Sequence, residues 1–80
     1  MKLVIAMGDY QERILKFLRK KDIYYTTREI GEGTKIAIQR VGIILRILEK
    51  ANKTSVREKV RKYKNMWVNE WRAIWNQMLI

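Results

Sequence analysis

Apolar positions along the chain change their period, and the changes divide it. Tyr10, Ile14, Phe17 and Leu18 recur at i, i+4, i+7 and i+8, one face of a helix, with Arg13, Lys16 and Lys20 turned outward. This spacing predicts a first helix over about residues 10–21. Asp9-x-x-Glu12 reads as its capping box, in which each side chain meets a backbone donor of the first turn. The "RKK" at 19–21 complements the negative end of the helix dipole. Ahead of it, "MKLVIAM" (1–7) is apolar and uncapped; a short strand, a helix extension and a dimer contact all fit it. "IYY" (23–25) is β-prone. Thr26-x-x-Glu29 is a second capping box, opening a helix of about two turns before Gly31 and Gly33 weaken it. After a turn at "GTK", Ile38, Val41, Leu45 and Leu48 recur with helical spacing and Ile44 widens the stripe, predicting a helix over about 37–50 that ends near Asn52.

Residues 54–80 carry two patterns at once. As a helix, Val56, Val60, Tyr63, Trp67, Trp71, Ile74 and Met78 form one stripe behind a capping box at Ser55-x-x-Glu58. As a hairpin turning at Lys64-Asn65, Lys62 faces Trp67, Val60 faces Asn69, Glu58 faces Trp71 and Val56 faces Ala73. Alternation then gathers Val56, Val60, Trp67, Trp71, Ala73 and Trp75 on one face. The other face carries Arg57, Lys59, Arg61, Tyr63 and Arg72, with Lys59 opposite Glu70. Aromatic and β-branched residues after position 65 favour the hairpin. The expected fold is α+β, three helices followed by a C-terminal hairpin; the alternative is all-α with a long helix over 55–80.

Composition narrows the chemistry. Eighty residues suffice for one domain. Cysteine and histidine are both absent, which removes thiolate metal sites, disulfides and every nucleophile that needs an imidazole partner. The eight carboxylates are scattered, and Asp9, Glu12, Glu29 and Glu58 look like caps or charge partners, so no enzyme, metal or cofactor is expected. No apolar run approaches the ~18 residues of a membrane span, and "LVIAM" is too short for a signal-peptide core. An intracellular protein is expected. Eighteen basic residues against eight acidic give +10, a self-repulsion best explained by a polyanionic partner. Residues 50–64 concentrate it, with seven basic residues against Glu58 alone.

The register of "EIGEGTKIAIQRVGIILRILEK" resembles the winged helix-turn-helix DNA-binding family. Ile30 sits where an aliphatic residue after a glutamate anchors the second helix, and Gly31 where a small residue, usually alanine, lets two helices approach. Ile36 closes the turn, while Val41, Ile44, Leu45 and Leu48 face the core. "VREKVRKYKNMWVNEWRAIW" resembles the wing, and the likeness covers residues 9 to about 75. Some features depart from the pattern: Gly33 and Gly42 make the helices less rigid than usual. Gly42 falls on the face that would meet DNA, and Ile43 and Ile47 are apolar where polarity is usual. Both isoleucines suit a thymine methyl, and equally a dimer or hairpin contact.

The resemblance implies that helix 38–50 enters the major groove. Its outward positions Gln39, Arg40 and Ile43, with Arg46 one turn later, would meet base edges. Thr27 and Arg28 would hold a phosphate at the start of the second helix, with Lys35 in the turn. Lys59, Arg61, Lys62 and Lys64 on the wing would add affinity without reading sequence. The tryptophans are expected in the core. The implied function is sequence-specific binding of double-stranded DNA by a small transcriptional regulator, a homodimer, of the kind found in archaea and their viruses; missing proline and abundant Ile, Lys and Arg suggest a thermophile. Two other classes fit the same charge: a winged-helix module that docks on an acidic protein surface, and a basic helical protein that binds RNA or coats DNA.

Overall fold

The computed structural model describes residues 2–74, and side chains from Gly8 onward. Its elements are α1 (Lys2–Leu18), β1 (Tyr25–Thr26), α2 (Thr27–Thr34), α3 (Ile38–Lys50), β2 (Thr54–Tyr63) and β3 (Met66–Ala73). The three strands form one antiparallel sheet in the order β1-β3-β2, so the hairpin's second arm is the central strand. The fold is α+β, three helices with a C-terminal β-hairpin, in a winged-helix-like topology. The long C-terminal helix is not formed over the described residues, and Ser55 lies in a strand. Trp75 and Met78 lie outside the described residues.

One cluster joins the layers. Ile14, Leu15 and Leu18 of α1, Ile30 of α2, Ile36 of the turn and Val41, Ile44, Leu45 and Leu48 of α3 are buried together with Trp71 and Ala73 of β3. The expected core face of α3 is therefore correct from Val41 onward. Ile38, expected on that stripe, is 40 % exposed.

Two helix starts differ in what fixes them. At α2 the capping box forms: the Glu29 N–H donates to the Thr26 hydroxyl at 3.1 Å, and the Thr26 N–H to the Glu29 carboxylate at 2.8 Å. At α1 it does not, because the backbone is already helical over residues 2–8 and Asp9 falls inside the helix. Residues 2–7 take the helix-extension alternative, and α1 ends at Leu18 rather than near 21. Between α2 and α3 the chain turns through Lys35, in the left-handed region at φ 65°, and the N–H groups of Lys35 and Ile36 both donate to the Gly31 carbonyl. A Cβ on Gly31 would lie 3.0 Å from the Ile36 carbonyl oxygen and 3.3 Å from Cγ1 of Ile38, so only glycine fits here without displacement. That close approach is what makes the turn tight.

The hairpin turns at Lys64-Asn65, both left-handed at φ 53° and 62°, the backbone of a type I′ turn. Lys62 faces Trp67 as the alternation predicts. Arg61 faces Val68 in the same register, and past it the register departs: Val56 faces Trp71, Thr54 faces Ala73 and Arg57, not Lys59, faces Glu70. The cause is an irregularity between Arg57 and Arg61 that adds two residues to β2. Lys59 adopts φ 51° there, and its N–H donates to the Asn69 side-chain oxygen at 2.9 Å, replacing a lost ladder bond.

Candidate nucleic-acid interface

Gln39, Ile43 and Arg46 follow one another at i, i+4 and i+7 on the side of α3 opposite the core, and all three are exposed. Arg40 stands beside them with its guanidinium 5.2 Å from the centre of the Tyr10 ring, so α1 steadies it. Ile43 is 60 % exposed and Ile47 38 %. The helix thus offers an amide, a guanidinium and an apolar side chain near its N-terminal end.

Arg46 is tied down differently. It donates to Glu49 at 3.0 Å and to Glu58 of β2 at 3.5 Å, and lies 5.2 Å from the Trp71 ring centre. The hydrogen bond to Glu49 raises its pKa above the ordinary arginine value, opposed by desolvation and helped by the charges of Glu49 and Glu58. Arg46 braces α3 against the wing.

Arg61 is a second brace. It pairs with Glu29 of α2 at 3.1 Å and with Glu70, whose carboxylate is buried and also receives Arg57 at 2.7 Å. A carboxylate this buried needs such partners, since an unpaired charge there would be strongly disfavoured. Thr27 is likewise engaged, its hydroxyl accepting from the Trp71 indole N–H at 2.9 Å. Arg28 stacks 4.7 Å from the Tyr63 ring centre and lies 3.8 Å from Glu32. Among the described residues, Lys35, Arg40, Lys59, Lys62 and Lys64 make no ion pair, and all are exposed.

The anticipated residues therefore fall into two sets. Thr27, Arg28, Arg46 and Arg61 hold the hairpin to α2 and α3. Lys35, Gln39, Arg40, Ile43, Lys59, Lys62 and Lys64 are exposed and, among the described residues, free of ion pairs. Three of those lysines (Lys35, Lys59 and Lys64) hold left-handed backbone, where glycine is the least strained residue, while the four glycines are elsewhere.

Trp67 is 58 % exposed, contrary to the expectation that it packs in the core. It shares a face with the buried Trp71, but the ten-residue β2 arm reaches ~30 Å, well past a helix layer ~10–12 Å across. Tyr63 and Met66 are exposed at the same tip.

No helix among the described residues is long and apolar enough to cross a membrane. In comparisons with known proteins, no family model, no curated protein and no solved structure matches this chain.

Proposed function

We propose that this protein binds double-stranded DNA sequence-specifically, as a small transcriptional regulator, with α3 in the major groove and the hairpin lysines on phosphate. The observation that carries this reading is the outward face of α3. Gln39 and Arg40 can pair in bidentate fashion with adenine and guanine edges, and Ile43 can touch a thymine methyl. Lys59, Lys62 and Lys64 stand on the wing, free of ion pairs among the described residues, within a chain of net charge +10. Dimerisation belongs to the same proposal, since one module spans part of a groove and two engage paired half-sites.

A second reading rests on Ile43 and Ile47, both exposed on the outward side of α3. They suit a partner protein's apolar surface as well as thymine methyls, with the positive charge meeting acidic residues around it. Titration of a labelled mixed-sequence duplex across salt concentrations separates the two. DNA binding predicts an affinity that falls log-linearly with salt, by ~0.9 in slope for each phosphate neutralised, over several phosphates. No binding at low salt overturns the DNA reading in favour of the protein-docking one.

A further inference from the structure

Three features of the hairpin tip do not follow from phosphate contact alone. Trp67 and Met66 are 58 % and 68 % exposed, and Tyr63 joins them at 39 %. Large apolar side chains grouped at the end of an arm are more than solvent exposure alone explains. They border an open groove between the hairpin and the first turn of α2. Cations surround the rings: Lys62 lies 5.9 Å from the Trp67 ring centre, while Arg28 and Lys64 lie 4.7 and 5.5 Å from that of Tyr63.

The two rings differ in availability. Arg28, itself held by Glu32 at 3.8 Å, covers Tyr63. Trp67 keeps more of its surface open. An indole with the Lys62 ammonium beside it suits a planar, electron-poor heterocycle on a phosphate chain. Every base offers such a face once it leaves the stack, and aromatic platforms beside basic grooves recognise unpaired bases in this way. The wing is also held in place, through Arg61 to Glu29 and Glu70, so the platform is presented on a fixed arm.

We infer that Trp67 is a stacking platform for an unpaired base, and that the protein prefers DNA carrying a bulge or distorted step to fully paired duplex. This deepens the proposed DNA binding and rests on it. Trp67 on the wing would hold an extruded base while α3 and the lysines hold the flanking duplex.

The test compares a fully paired duplex with the same duplex interrupted by a short thymine bulge, using the full chain and its Trp67→Ala and Trp67→Phe variants. The wild type should bind the bulged duplex more tightly, by about five- to 150-fold. Trp67→Ala should erase that preference while leaving affinity for the paired duplex and the melting temperature unchanged. Trp67→Phe should retain most of the preference. Equal wild-type affinity for the two duplexes overturns the platform but leaves duplex binding standing, as does equal loss on both in Trp67→Ala. Failure to bind either duplex overturns both readings.

Discussion

Two glycines show how much a single position depends on what lies above it. Gly31 faces the Ile36 carbonyl oxygen, which would stand 3.0 Å from an added Cβ; Gly42 faces nothing within 4 Å. Alanine favours helix over glycine by ~1 kcal/mol at either site. At Gly31 overpacking of ~1–3 kcal/mol opposes that gain, because the neighbour is backbone within a tight turn. Gly31→Ala should therefore lose about 1 kcal/mol, and Gly42→Ala should gain ~0.5–1 kcal/mol. Urea denaturation of both variants measures the difference, and shifts of the same sign would show that the α2–α3 turn is not limited by this contact. The close approach at Gly31 was anticipated through the resemblance to the winged-helix pattern, where a small residue holds that place. The openness at Trp67 was not, because alternation assigns a side chain to a face without saying how far the layer beneath it extends.

Elements were legible where a local chemical signal fixed them. The Thr26/Glu29 box and the i, i+3/i+4 spacing from Val41 to Leu48 named α2 and α3, because each rests on contacts within a few residues. The start of α1 was hidden, because Asp9 and Glu12 imitate a cap inside a continuing helix. The hairpin register was hidden by a two-residue insertion, which preserves the in–out parity and so leaves no trace in the pattern. Lys35 ends α2 in left-handed backbone, with its N–H on the Gly31 carbonyl at 2.8 Å. Glycine is the less strained residue at such a helix end. Lys35→Gly should raise stability by ~0.5–1 kcal/mol and lower the salt slope of duplex binding by about one unit. Stabilisation with unchanged DNA affinity would remove Lys35 from the interface.

At the scale of the whole molecule, two basic surfaces stand apart with different work proposed for each. The end of α3 offers Gln39 and Arg40, whose geometry suits base edges, whereas Lys62 rides on the hairpin and suits phosphate. Glu58 and Glu70 sit between these surfaces and lock Arg46, Arg57 and Arg61 into the scaffold. The net charge of +10 was legible from composition. Which arginines are spent on internal pairs was not, since Arg46 and Glu58 meet only once α3 and β2 are packed. The most direct measurement is the affinity of Arg40→Ala and Lys62→Ala for a preferred site, selected from a random duplex pool, and for unrelated DNA. Arg40→Ala should cost about 1–3 kcal/mol on the preferred site and much less elsewhere, so that discrimination falls. Lys62→Ala should weaken all sequences alike and lower the salt slope by about one unit. Equal loss on every sequence from both variants would contradict the account, leaving α3 as a scaffold helix in a protein that coats DNA without reading it.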